Sequence, residues 1–339
     1  MNSRERTIAA IEFGTPDKIP IWHEYLTNFA YEHPDFLKTI FTKYPGDMNV
    51  NEEADVLPPI LSADDLKTRH GRVARDEWGC VWQYEVPGMQ GIVIENPIRS
   101  YDQMKTFSIP NINRVNWSAL RAKMSKRSHQ RYVWTYPPNF FHLLTFLLGY
   151  EKFVVDLTTA EEGLFELMNL ILEKHHLPYI RNLVALDCDG LFFGDDMGTQ
   201  TQLMVSPLVW RNCVKEFYRR QFEIVKEAGK HVILHSDGYI LDIIPDLMEI
   251  GMDALNPQHE IMEPEKLLPL VKGKLCILTD LDRQWILPRG TPDDVANHIR
   301  AVRQKFWTAQ GGIIFHGELA VDVPLANIEV MYAAFEAFR

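Results

Sequence analysis

The stretch KHVILHSDGYILDIIPDLMEIGMDALNPQH, Lys230 to His259, constrains the fold more than any other part of the chain. Val232-Ile233-Leu234 is a short β-branched apolar run that reads as a buried strand, and it ends on His235-Ser236-Asp237-Gly238. An amphipathic helix pattern follows. A second short strand, Ala254-Leu255, then ends on Asn256-Pro257-Gln258-His259. Strand, helix, strand is a βαβ unit. In parallel α/β sheets and barrels ligands bind beyond the carboxyl ends of the strands, and here both of those ends carry polar, ionisable groups.

The same rhythm extends through the second half. Tyr132-Val133-Trp134 reads as a strand ending at Tyr136-Pro137-Pro138, with helices over roughly 141–149 and 160–185 behind it. Gly190-Leu191-Phe192-Phe193 is a strand ending at Gly194-Asp195-Asp196; Ser206 with Pro207 starts a helix that runs to about Ala228. Leu275 to Leu278 and Ile313 to Phe315 are further strands, with a helix started by Thr291-Pro292-Asp293-Asp294 between them and a C-terminal helix behind. Near-continuous apolar strands of this kind are buried on both faces, as in a parallel sheet covered by helices.

The first half is less regular. A helix is expected over Asn2 to Phe13, starting near Ser3, and a strand at Ile19 to Trp22 ending at His23-Glu24. Residues 27–70 read as irregular and mostly helical, 76–97 as one or two hairpins, and Tyr101 to Arg127 as linker and helix. Eight strands in all would close a (β/α)8 TIM barrel, an α/β fold with an N-terminal helical and hairpin extension. The whole of 1–339 then reads as a single domain, with about 1–130 carrying the extension and about 131–339 the regular repeats. A doubly wound open sheet is the alternative, but no GxGxxG follows the first strand.

Bulk properties narrow the function. A net charge of −11 argues against an extended nucleic-acid or anionic-membrane surface. Four scattered cysteines with no CxxC pair fit a reducing, cytoplasmic setting. The opening MNSRERTIAAIEF is charged and amphipathic, unlike a signal peptide. The most apolar stretch, Phe140 to Leu148, is about half the ~20 residues a membrane-spanning helix needs, and reads as a buried helix.

Five consecutive strands end in polar clusters: Asp195/Asp196, His235/Asp237, Gln258/His259, Asp280/Asp282/Arg283 and His316/Glu318. In a barrel they converge on one mouth. Loops are polar in any case, and some of these groups would merely cap helices. Three histidines and several carboxylates gathered at one end, above apolar strand interiors, nevertheless make a site. His235 and Asp237, spaced i, i+2 just past a strand, can face one ion, with Glu318 or His316 as a third ligand and His259 as a fourth. Such nitrogen and oxygen ligation suits zinc or another first-row divalent metal. The competing reading makes His235 an acid–base or structural histidine. Asp195 and Asp196 suit general acid–base work, Asp282 and Arg283 a salt bridge or an anion contact, and Tyr136 an apolar pocket wall.

Several long segments in order resemble the uroporphyrinogen decarboxylase superfamily over nearly the whole chain: NSRERTIAAIEFGTPDKIPIW, FGDDMGTQTQLMVSPLVW, HVILHSDGYILDIIPDLMEIGMDALNPQ, LDRQWILPRGTPDDV and DVPLANIEVMYAAFEAF. The resemblance implies a TIM barrel with an N-terminal extension. The superfamily includes decarboxylases of tetrapyrrole synthesis and zinc-dependent methyltransferases that move methyl groups between corrinoid proteins and thiols or tetrahydrofolate. True decarboxylases carry an arginine-rich MRQAGRY signature; this chain has PIWHEYL, with no arginine nearby. The thiol methyltransferases carry a His-x-Cys pair and a late cysteine. Here the pair is His235-Ser-Asp237, and Gly317 or Glu318 falls at the late position. Gln258 falls where methionine synthase-like members place a glutamate.

The resemblance thus implies a methyltransferase-like enzyme with metal ligands His235, Asp237 and Glu318. The strand-end residues themselves offer Asp195, Asp196 and His235 as catalytic groups, and Tyr136, Gln258, Asp282 and Arg283 as substrate contacts. A small molecule and a corrinoid protein are the expected partners, with the chain a monomer or homodimer. Two other functions stay open: a decarboxylase or other lyase on a different acidic substrate, and a non-catalytic protein that holds a tetrapyrrole or corrinoid.

Overall fold

The computed structural model describes residues 1–48, 71–126 and 129–339. The remainder of the expected 27–70 helical region, from 49 onward, lies outside the described residues, as does the Arg127 end of the expected 101–127 segment. The chain divides into two compact units, one built from 1–48, 129–134 and 253–339, the other from 71–126 and 135–252.

The first unit is built on parallel strands. Ala254–Pro257 pairs with Cys276–Leu278, and this with Ile313–Ile314. Phe315 bridges to Ile21, and Glu24–Tyr25 pairs in parallel with Glu318–Leu319. All of the central residues here are buried, as expected for strands covered on both faces. Helices Pro264–Val271, Pro292–Phe306 and Leu325–Phe338 supply cover in apolar side chains such as Leu267, Ile299 and Phe335. Thr291 caps its helix through a reciprocal pair with Asp294, as its sequence signals. The first helix, Ser3–Ile11, falls within the expected Asn2 to Phe13 and starts at Ser3, with Asn2 as its cap in a capping box with Glu5. Buried Asp47 ties this unit together. It accepts from Arg6 at 2.5 Å, Arg339 at 2.6 Å and the Ile21 amide at 2.9 Å.

The second unit holds the parallel pair Gly190–Gly194 and His231–Ser236. The expected hairpins form a three-stranded antiparallel sheet, Arg72–Arg75, Val81–Tyr84 and Ile92–Glu95. Helix Phe141–Leu148 ends at Gly149, whose φ of +84° suits glycine. A helix absent from the sequence reading, Tyr150–Thr159, follows directly. The expected 160–185 helix is Glu162–Ile171 and Leu177–Val184, joined by a wider π turn at Leu172–His176. Pro178 explains the widening: its ring clashes with the carbonyl four residues back and it offers no N–H. The expected 207–228 helix divides into Pro207–Cys213 and Lys215–Glu227, and Ser206 caps the first piece. Among the described residues no helix is long and apolar enough to cross a membrane.

The π turn buries two histidines. His175 packs edge-on to Trp78 and stacks on Tyr179, while His176 is fully buried beside the Asn139 carbonyl. Burial lowers their pKa values to about 3 and about 4. Both are therefore neutral in the folded protein, whereas each takes a proton near pH 6.5 once unfolded. The unfolded chain gains protons first as pH falls, so this stability is present above pH 6.5 and is lost as pH drops toward about 4. The unfolding free energy measured in urea should fall across that window, by up to ~1.4 kcal/mol per pH unit for each histidine. His175→Phe, which keeps the ring contacts, should flatten the slope; an unchanged slope would contradict the assignment.

Candidate functional site

Two parallel strands set the positions of the ionisable groups in the second unit. Gly194 lies opposite His235 in their register, so both carboxyl ends finish side by side and deliver Asp195-Asp196 and Ser236-Asp237 to one place. The loops beyond are cross-tied. The Asp237 amide donates to Asp196 Oδ1 at 2.8 Å, the Met197 amide to the Ser236 hydroxyl at 3.0 Å, and the Tyr239 amide to the Thr199 carbonyl at 2.7 Å. Gly198 and Gly238 meet backbone to backbone. A Cβ on Gly238 would lie 2.2 Å from Gly198 backbone atoms, and φ at Gly238 is +83°. Only glycine allows this approach.

The result is a compact triad. His235 Nε2 stands 3.6 Å from Asp196 Oδ1 and 3.5 Å from Asp237 Oδ1, and one ligand atom from each residue lies within 4.8 Å of the others. All three side chains are half-buried. Two ligand atoms held tetrahedrally at about 2.0–2.2 Å from one ion are about 3.3–3.6 Å apart. The two distances from His235 fit that edge length, and the imidazole and carboxylate donors fit a first-row divalent metal. Phe192 lies nearly parallel to the His235 ring at 6.4 Å, and Tyr136 meets Phe192 edge-on at 5.4 Å. Tyr136 is thus half-buried one ring removed from His235.

The two adjacent aspartates do different things. Asp195 is 1% exposed and accepts from the Phe140 amide (2.8 Å), the His142 amide (2.9 Å) and the Tyr218 hydroxyl (2.8 Å). It caps the Phe141–Leu148 helix, which has no cap of its own. Burial raises the Asp195 pKa against the pull of the nearby His142 ring and of these donors. Asp196 faces the triad. Its second oxygen stands 3.5 Å from His142 Nε2. His142 escaped the sequence reading because it sits in the run FFHLLTFLL, taken as a buried helix. Its one signal is being the lone ionisable group on that helix, in the first turn after the loop that follows the Trp134–Thr135 strand.

The remaining expected residues lie in the first unit. Gln258, Asp282 and Arg283 line one pocket together with Glu260, Asp280 and Trp285. Asp282 Oδ1 accepts from the Gln284 and Trp285 amides at 3.0 and 2.8 Å, starting the short helix Ile286–Arg289. Arg283 stands between Asp280 at 3.7 Å and Glu318 at 3.6 Å. His259 is fully buried against Phe306 and paired with Glu260 at 2.9 Å. His316 Nε2 is 2.6 Å from a Glu24 oxygen. Glu24 carried no signal in the sequence beyond ending a strand.

Residues 77–338 match the uroporphyrinogen decarboxylase (URO-D) family. No curated protein sequence matches the chain. Among solved structures, a methyltransferase from Methanosarcina mazei superposes with a TM-score of 0.71 at 15% identity, covering 100% of this chain and 99% of that one. An endo-β-1,4-xylanase from Gloeophyllum trabeum reaches 0.38 at 10% identity, covering 67% of this chain and 82% of its own. A 3-keto-D-glucoside 4-epimerase from E. coli reaches 0.37 at 15% identity, covering 66% and 84%. The first likeness runs the length of both chains and shows the fold, an α/β barrel of the (β/α)8 class.

Proposed function

Because the chain belongs to the uroporphyrinogen decarboxylase family, we propose that it is a metal-dependent, methyltransferase-like enzyme centred on Asp196, His235 and Asp237. The observation that carries this reading is the 3.5 and 3.6 Å spacing of His235 Nε2 from the two carboxylates. The full-length likeness to a methyltransferase structure supports it. So does the sequence pattern, in which Asp237 stands where thiol methyltransferases of this superfamily carry a cysteine.

A divalent ion bound there would act as a Lewis acid on an oxygen-bearing substrate, a harder acid than a thiolate-ligated one. The protein's own residues do the rest. Asp196 is held by the Asp237 amide, so both carboxylates keep fixed directions. His142 flanks the outer oxygen of Asp196 and lies within reach of a bound group. Phe192 and Tyr136 form an apolar wall behind His235. A corrinoid protein as methyl donor or acceptor, and a cytoplasmic setting, complete the reading.

Elemental analysis of protein purified without chelator tests it. The wild type should hold about one equivalent of zinc or a similar metal, and His235→Ala should lose it along with methyl transfer from methylcobalamin. Wild-type protein that stays metal-free after reconstitution would sink the proposal and favour acid–base chemistry without metal.

A further inference from the structure

His142 stands over the two adjacent aspartates of the site without belonging to the triad. Its Nε2 is 3.5 Å from Asp196 Oδ2, and its Nδ1 is 3.9 Å from Asp195 Oδ1. Several contacts hold the ring there. His142 lies in the first turn of the Phe141–Leu148 helix, and its own amide donates to buried Asp195 at 2.9 Å. Phe146, one turn further along the same face, stacks on the ring at 5.8 Å with 19° between the planes. Backbone and ring are thus placed by groups that take no part in the triad.

Asp196 turns its two oxygens to different neighbours. Oδ1 accepts from the Asp237 amide at 2.8 Å and faces His235 Nε2 at 3.6 Å. Oδ2 faces His142 Nε2, at the long end of hydrogen-bonding distance. A carboxylate oxygen can only accept, so the His142 nitrogen beside it is the one that carries a hydrogen. His235 Nε2 has the opposite task, because an ion needs its lone pair. A donor on the outer oxygen resists rotation of the Asp196 carboxylate. The inner oxygen then stays on the Asp237 amide and toward the ion. Asp196 is only half-buried, so without that donor water would take the outer oxygen and leave rotation cheap.

We propose that His142 is a positioning residue: its Nε2–H holds the outer oxygen of Asp196 and so fixes the direction in which the inner oxygen meets a metal. The consequence for metal rests on the metal reading of the triad; the contact with Asp196 does not. Partners of this outer kind set the direction and basicity of a ligating carboxylate. The role is specific to one end of the ring, since Nε2 faces Asp196 while Nδ1 faces Asp195. Glutamine places an NH2 group near the position of Nε2. Asparagine reaches only as far as Nδ1. Phenylalanine keeps the stack on Phe146 and supplies no donor.

Two measurements on the full chain test this. Hydrogen exchange of the Asp237 amide in metal-free protein reads the hold on Asp196, because that amide donates to it. Isothermal titration with zinc reads the consequence. In His142→Phe this amide should exchange about tenfold faster and zinc should bind about 10–100-fold more weakly, with the other amides of the Phe141–Leu148 helix exchanging as in the wild type. His142→Gln should restore both, and His142→Asn neither. Unchanged exchange in folded His142→Phe would overturn the proposal; a loss of zinc affinity beside it would make His142 a ligand instead. Faster exchange along the whole helix would leave it a merely structural role, and rescue by asparagine rather than glutamine would put the working bond at Asp195. Either would also overturn the proposal. A wild type that binds no zinc, but whose Asp237 exchange follows this series, would retire the metal reading alone and leave His142 as the anchor of Asp196.

Discussion

Replacing Asp195 with alanine should destabilise the protein by about 3–5 kcal/mol, the largest single-residue effect expected here. The carboxylate is the acceptor for two amides at the start of the Phe141–Leu148 helix and for the Tyr218 hydroxyl. Truncation leaves two buried donors, the Phe140 amide and the Tyr218 hydroxyl, and the part-buried His142 amide without it, and each buried orphan costs about 1–3 kcal/mol. Asp195→Asn should cost less, since one amide oxygen still accepts, although its NH2 then faces a donor. Tyr218→Phe, which removes a single hydroxyl, should cost only about 1 kcal/mol. Urea unfolding of the three variants measures this series. A loss under about 1 kcal/mol in Asp195→Ala would mean that the cap carries little of the helix. The same variant should also weaken metal binding, because His142 and the turn leading into Asp196 are positioned by the bonds that Asp195 makes.

Gly238→Ala should lower metal affinity about 10–100-fold while the protein stays folded. Two costs coincide at this position. The backbone is in the left-handed region at φ +83°, and the new methyl would stand 2.2 Å from the backbone of Gly198. The strain alone costs about 1–2 kcal/mol. The clash cannot be relieved by rotating a side chain, so the loops carrying Asp196 and Asp237 have to separate. That separation opens the carboxylate spacing on which two-sided ligation depends. Gly229 is the matched control: its φ is +67°, but an added Cβ meets nothing within 4 Å. Gly229→Ala should show the backbone strain without the loss of affinity. Isothermal titration with zinc distinguishes the two, and equal affinities for both variants would mean that the glycine contact does not set the site.

Legibility in the sequence followed the range of the interactions involved. His235 and Asp237 stand out because strand ends are readable: an apolar β-branched run stops, and the next residues are polar. The helix starts at Ser206 and Thr291 were readable for a similar reason, since a cap is decided within four residues. What depends on distant partners was hidden. Asp195 and Asp196 look alike in the chain, and only the uncapped helix at Phe140 turns one of them inward. Glu24 acquires meaning from its contact with His316, nearly three hundred residues away. His142 was masked by the apolar residues around it. The break at Gly149 and the π turn before Pro178 had visible causes, but a glycine or proline in a long helical pattern does not say whether the chain bends or stops.

X-ray absorption spectroscopy of the zinc-loaded protein tests the central claim most directly. The account predicts a shell of nitrogen and oxygen scatterers at about 2.0–2.2 Å, with an imidazole contribution that disappears in His235→Ala. A sulfur shell near 2.3 Å, or a spectrum unchanged in that variant, would contradict it.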